Sequence, residues 1–255
     1  MLNEILANKR GELAALRQRA LPAPPALRSV DLSRRPGQPL RLIAEIKRRS
    51  PSAGPLSSKL GIAERARIYE EAGADMVSVL CDAVYFDGAY EHLALARAAT
   101  SIPLLCKEFV IDELQLDSAR AFGADAVLLI VRCLTPVRLA QLTAAASARG
   151  LISLVEVHTP DEVPIALDAG ATLIGVNARD LETLQLDAAR ARRVLESLPE
   201  GVTRVHLSGI HRPDQVAEVA RSTAHAALLG ETLMRHDDPR DLMLALAAAA
   251  AGQTG

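Results

Sequence analysis

Four apolar runs in this sequence end on residues able to move protons or hold anions. Glu45 and Lys47 close the run 42–47, Lys107 sits in 103–109, Glu156 in 152–158, and Asn177 ends 173–177 with Arg179 just beyond. Alternate residues of a strand share a face. Glu45 therefore shares a side with Lys47, Lys107 with Leu105 and Phe109, Glu156 with Leu154 and His158, and Asn177 with Gly175 and Arg179. Singly, each is explained as a charge meeting water at a strand end. Together they bring acids, bases and an amide to one face, where buried charge is costly unless it is paired or binds something. Proton transfer on an anionic substrate is the chemistry such a set supports. Two further run ends, Ser208-Gly209-Ile210 and Gly230-Glu231-Thr232, have the small residues that let backbone N–H groups approach a phosphate.

Positioning these groups requires parallel strands, which read as short apolar runs each followed by a helical pattern. Eight runs occur: 42–47, 76–80, 103–109, 126–130, 152–158, 173–177, 204–208 and 226–229, with amphipathic segments such as 62–71, 113–121 and 214–221 between them. A phrase recurs where helix passes to strand: Glu71-Ala-Gly-Ala-Asp, Ala121-Phe-Gly-Ala-Asp and Asp168-Ala-Gly-Ala-Thr. A glycine closing a helix, then a buried strand, punctuates an αβ unit. Repetition of that unit in 255 residues predicts a closed (β/α)8 TIM barrel. A doubly wound open sheet would carry a Gly-rich dinucleotide loop after its first strand, whereas here the chain continues Lys47-Arg-Arg-Ser-Pro-Ser-Ala-Gly. Residues 1–39 read as an N-terminal helical extension, with a helix over 2–19 and a Pro-rich stretch, lying on a single domain that spans 1–255.

Composition narrows the function. Hydrophobic residues make up 49% and the net charge is −2 with dispersed cations, which argues against disorder and against nucleic acid as a partner. The apolar Ala-rich run near the C-terminus is too short to span a membrane, and no signal-peptide pattern opens the chain. Cys81, Cys106 and Cys133 fit neither a disulfide framework nor a zinc site, so a reduced cytoplasmic setting is expected. His158 has inward parity but no metal partner at ligand spacing. Phe86 and Phe109, in a chain with 2% aromatics, are candidates to wall an aromatic substrate. A lysine flanked by apolar residues, as Lys107 is, is expected to have its charged form disfavoured and its pKa lowered.

In order, these stretches resemble the indole-3-glycerol-phosphate synthase family of tryptophan biosynthesis. The resemblance runs through Ile43-Ala-Glu-Ile-Lys-Arg-Arg-Ser-Pro-Ser, Tyr85-Phe-Asp-Gly, Leu105-Cys-Lys-Glu-Phe-Val-Ile-Asp and Leu154-Val-Glu-Val-His-Thr. It continues in Ile174-Gly-Val-Asn-Ala-Arg-Asp-Leu-Glu-Thr, Ser208-Gly-Ile and Leu229-Gly-Glu-Thr-Leu-Met, and so covers nearly the whole chain. It implies a carboxy-lyase that closes a ring on, decarboxylates and dehydrates 1-(2-carboxyphenylamino)-1-deoxyribulose 5-phosphate. No cofactor or metal is implied; other enzymes of the tryptophan pathway are its candidate partners. By motif position the resemblance makes Lys107 the general acid and Glu156 an acid/base for dehydration, with Asn177 orienting the intermediate. Lys47, Ser50 and Arg179, supported by Glu45, would hold the carboxylate and phosphate ends. Ser208, Gly209, Gly230 and the backbone of Glu231 would bind phosphate, and Phe86, Phe109 and Leu181 would line the aryl side.

Three positions depart from the family pattern. Leu207 stands where a strand-seven Glu is usual, Glu108 where Asp is usual, and Ala53 where many members carry a Lys. Leu207 lies in an inward slot and can neither move a proton nor offset positive charge on the ring nitrogen; His206 has the opposite parity, and His211 follows in the loop. The alternatives are a diverged paralogue acting on a related substrate in secondary metabolism, or a non-catalytic ligand-binding barrel. The presence of Lys107, Glu156, Asn177 and Arg179 speaks against the latter. The sister barrel phosphoribosylanthranilate isomerase would need a Cys base after strand one and an Asp after strand six, where this chain has Glu45/Lys47 and Asn177.

Overall fold

Eight strands pair in sequence order, all parallel, and the last pairs with the first to close a barrel. They are β1 (Arg41–Ile46), β2 (Met76–Leu80), β3 (Leu104–Lys107), β4 (Ala126–Ile130), β5 (Ile152–Val157), β6 (Leu173–Val176), β7 (Thr203–His206) and β8 (Ala226–Leu229). This computed structural model describes residues 1–180 and 182–252. The expected TIM barrel is therefore the fold. Around it run α2 (Ile62–Glu71), α4 (Tyr90–Ala99), α5 (Glu113–Ala121), α6 (Pro136–Ala148), α7 (Glu162–Asp168), α8 (Ala188–Ser197), α9 (Pro213–Ala220) and α11 (Arg240–Ala250). Alternation sorts the strand residues: Ala44, Val77, Cys106 and Val155 join the helix-facing core, while Ile43, Met76, Leu105, Leu154 and Leu207 fill the interior.

The recurring helix-to-strand phrase does two jobs. Gly73, Gly123 and Gly170 take positive φ values of 97°, 100° and 82°, which L side chains resist. The Asp two residues on then stitches a neighbouring strand. Asp75 Oδ2 accepts the Leu42 N–H at 2.8 Å, and Asp125 Oδ2 accepts the Leu104 N–H at 2.9 Å. Helix starts are set by local chemistry as well: Thr135 Oγ1 accepts the Arg138 N–H at 3.2 Å, with Pro136 in the first turn of α6.

Several strands stop earlier than their apolar runs predict. β3 ends at Lys107 because Glu108 folds back and takes the Phe109 N–H at 2.7 Å, removing that donor from the ladder. β5 ends at Val157 and β7 at His206, so His158, Leu207 and Ser208 belong to loops. Short elements line the barrel mouth: α3 (Ala83–Phe86), α10 (Glu231–Met234) and a two-residue antiparallel pair, Arg49–Ser50 with Gly54–Pro55. Gly88 closes the α3 loop where a Cβ would lie 2.4 Å from the Leu80 carbonyl oxygen, so no side chain fits.

The N-terminal segment packs on this scaffold. Helix α1 (Leu2–Gln18) buries Leu2, Ile5 and Leu6 in the interior cluster. The extended stretch after it is pinned by Arg28, whose N–H reaches Asp125 Oδ1 at 2.7 Å and whose guanidinium donates to the Ile102 carbonyl at 2.7 Å. Among the described residues no helix is long and apolar enough to cross a membrane.

Candidate active site

The strand ends and their loops enclose one cavity of about 1070 Å³, open mouth included, ample for a sugar phosphate carrying an aromatic ring. Every candidate residue from the sequence lines it except Leu181, which lies outside the described residues. From strand one, Glu45 is buried and accepts two lysines, Lys47 Nζ on Oε1 at 2.9 Å and Lys107 Nζ on Oε2 at 3.0 Å. Across the barrel, Glu156 accepts the Asn177 side-chain amide at 2.9 Å. Asn177 Oδ1 in turn accepts the Ser208 hydroxyl at 2.7 Å and the Arg179 N–H at 2.9 Å. One chain of hydrogen bonds thus joins β5 to the residues that follow β6 and β7, which fixes the Asn177 amide orientation.

Charges set the protonation states. Burial would raise the Glu45 carboxyl, but Lys107 and Lys47 bring it from its ordinary 4.5 to about 2. Burial pulls the Lys107 ammonium down, yet Glu45 and Glu156 outweigh it and leave the pKa above the ordinary lysine value. This corrects the expectation of a lowered lysine: the apolar neighbours along β3 matter less than two carboxylates arriving from β1 and β5. Glu156 moves the other way. Burial raises it, with Lys107 and Asn177 only partly opposing. The site therefore pairs an ammonium that keeps its proton with a carboxyl biased toward its neutral form.

The remaining walls come from loops. Phe86 and Phe109 stand with ring centroids 6.2 Å apart at 37°. Ser50 is buried under the hairpin after β1, its hydroxyl accepting the Ala53 N–H at 3.1 Å. Arg179 donates to the Leu184 carbonyl at 3.1 Å and lies 3.8 Å from Glu231 Oε2. Gly209, at φ 82°, and Gly230 carry the chain past the floor. A Cβ on Gly230 would fall 2.5 Å from Glu45 Oε1 and 3.0 Å from Lys47 Nζ. Gly230→Ala should therefore displace the lysine-binding carboxylate and lower kcat about tenfold or more, with a stability loss of about 1–3 kcal/mol, read by steady-state kinetics and thermal unfolding.

Leu207 is 1% exposed and faces the cavity from the interior cluster, as its parity predicts. It fills the space over Gly175, where a Cβ would sit 2.4 Å from Leu207 Cδ1. His206 faces the helix layer beside α8 and α9, and His211 lines the cavity mouth. Inward parity misplaced His158. Its ring turns behind Asn177, with Nδ1 2.9 Å from the Asn177 carbonyl and Nε2 3.0 Å from Asp180. Sequence reasoning also missed Met1, Leu2 and Ile5, which wall the cavity from α1 and carry no local signal of doing so. Among the described residues no cluster of three or more His, Cys, Asp or Glu could hold a metal.

The family model for indole-3-glycerol phosphate synthase matches residues 2–246 of this chain. The chain belongs to that family. Indole-3-glycerol phosphate synthase 2 of Streptomyces coelicolor is 46% identical over 226 residues, covering 89% of this chain and 87% of the relative. The indole-3-glycerol phosphate synthase of Kineococcus radiotolerans is 42% identical, covering 98% and 96%. Among solved structures, a thiamine phosphate pyrophosphorylase from Pyrococcus furiosus superposes with a TM-score of 0.65 at 20% identity, over 85% of this chain and 98% of its own. At that identity the likeness speaks for the barrel alone. In this indole-3-glycerol phosphate synthase family member, Leu207 sets a buried apolar side chain in the cavity lining beside Ser208 and Asn177.

Proposed function

We propose that this chain catalyses the indole-3-glycerol phosphate synthase reaction of tryptophan biosynthesis as one cytoplasmic catalytic domain. The substrate, 1-(2-carboxyphenylamino)-1-deoxyribulose 5-phosphate, loses CO2 and water as its ring closes. The supporting observation is the pairing of a raised Lys107 with a raised Glu156 in one cavity with a two-phenyl wall. Lys107 donates its proton to the ketone oxygen while the aryl carbon bearing the carboxylate attacks the ketone carbon. Departure of CO2 returns an electron pair to the ring and restores its aromaticity. Glu156, in its neutral form, protonates the leaving hydroxyl, and a proton lost from the adjacent carbon completes the indole. Asn177 orients the intermediate. Lys47, Ser50 and Arg179, organised by Glu45, hold the anionic ends; Ser208, Gly209, Gly230 and the Glu231 backbone take the phosphate; Phe86, Phe109 and Leu181 flank the aryl ring.

Leu207 favours a second reading, a diverged enzyme for a related phosphorylated aryl amine, because the slot offers no carboxylate to the ring nitrogen. A fluorescence assay for indole-3-glycerol phosphate separates the two. The family reaction requires product from the wild type, a strongly reduced rate from Lys107→Ala, and a higher kcat from Leu207→Glu. A silent wild type that Leu207→Glu switches on means divergence at this slot. A wild type that does not bind the substrate rules out both the substrate and the phosphate assignment.

A further inference from the structure

Outside the reacting groups, a buried charge cluster joins α1 to the turns that carry the two phenyl rings. Lys9 of α1 is 1% exposed, and its ammonium meets Asp82 Oδ2 at 2.7 Å, Glu12 Oε2 at 2.9 Å and Glu108 Oε2 at 3.2 Å. Asp82 Oδ2 has no hydrogen-bond partner besides this ion pair among the described residues. Each of the two buried carboxylates spends its other oxygen on a backbone N–H beside a cavity phenyl ring. Asp82 Oδ1 caps α3 by accepting the Tyr85 N–H at 2.6 Å, and Phe86 is the next residue. Glu108 Oε1 accepts the Phe109 N–H at 2.7 Å. One ammonium thus ties together the two turns whose rings stand 6.2 Å apart.

Resting on the proposed reaction, we infer that Lys9 is a positioning residue for the aryl subsite: through Asp82 and Glu108 it sets the separation of Phe86 and Phe109, and so the affinity for the substrate's aromatic end. Three carboxylates converging on one buried cation are not needed for fold stability as such, since well-packed apolar side chains serve as well. What the arrangement adds is direction, because each carboxylate has a fixed second partner. Burial raises Glu108 to about 7 even with Lys9 beside it, as expected where carboxylates share one lysine. Ile5, one turn before Lys9, lines the same cavity, so α1 contributes wall and clamp from one face.

The test uses Lys9→Met and Lys9→Arg in the full chain. Only three phenylalanines occur, Phe86, Phe109 and Phe122, so fluorophenylalanine labelling yields three assignable resonances independent of any substrate. Lys9→Met should move those of Phe86 and Phe109 and leave Phe122 in place. In calorimetry, its affinity for the unreactive alcohol analogue, 1-(2-carboxyphenylamino)-1-deoxyribitol 5-phosphate, should fall about tenfold or more, with ribitol 5-phosphate unchanged within about twofold. KM should rise while kcat holds, and Lys9→Arg should restore both readouts. Should Lys9→Met fail to fold, Lys9→Met/Asp82→Asn/Glu108→Gln removes the buried charges, leaving only the partly exposed Glu12, and keeps both backbone acceptors, and the same losses are expected. Unmoved phenyl resonances, or equal weakening of both ligands, would overturn the proposal. A wild type that binds neither ligand while Lys9→Met still moves the two rings would instead sink the functional reading and leave the clamp standing.

Discussion

Replacing Lys107 by Ala should lower kcat by roughly 10²–10⁴-fold, the span of a lost general acid, while the substrate analogue still binds within about tenfold. The loss reaches past one donor. Glu45 keeps only Lys47, and Glu156 loses the cation that opposes its burial, so its carboxyl rises further. Among the described residues the Lys107 ammonium bonds to Glu45 and not to the loops after β7 and β8 that are proposed to take the phosphate, which is why binding should outlast chemistry. Single-turnover kinetics beside calorimetry checks the split. Turnover within about threefold of wild type would remove Lys107 from the proton-transfer role.

Glu45→Gln is expected to be nearly as damaging and to leave a clearer signature in pH. Glu45 and Glu156 hold the Lys107 pKa above the ordinary lysine value against burial. Without the Glu45 charge, burial and the nearby Lys47 ammonium act together to lower it. In the proposed reaction the acid form is the active one, so activity should be lost as pH rises through this pKa. The alkaline limb of kcat should therefore move to lower pH in Glu45→Gln, and an unchanged limb would contradict the assignment. The same substitution tests stability. The folded-state pKa of Glu45, about 2, lies below its ordinary 4.5. Its contribution, about 3 kcal/mol by linkage, is present above the unfolded value and is lost as pH falls through the folded one. Wild type and Glu45→Gln should then differ in Tm at pH 7 and converge toward pH 2.

Period-2 alternation put Glu45, Lys107 and Glu156 on the inner face, and the structure has each lining one cavity. It also put Leu207 there, and in the structure that side chain fills the space over Gly175. Alternation failed at His158, whose ring is held by the Asn177 carbonyl and Asp180, whereas Leu207, equally one residue past its strand, keeps the inward place. Nothing in 1–19 marks Ile5 as a cavity wall or Lys9 as a clamp. A helical pattern with charges reads as a solvated face until the surface it meets is known.

The sequence alone determined the barrel, because the apolar runs and the thrice-repeated glycine phrase punctuate the αβ units, and those signals act over a few residues. It also determined which side chain types reach the mouth. Tertiary closure decided what those groups are chemically. Lys107 meets Glu45 across 62 residues of chain, and that encounter reverses the pKa shift its own neighbours in sequence imply. Coulombic terms depend on distances through space, and only the closed barrel sets them.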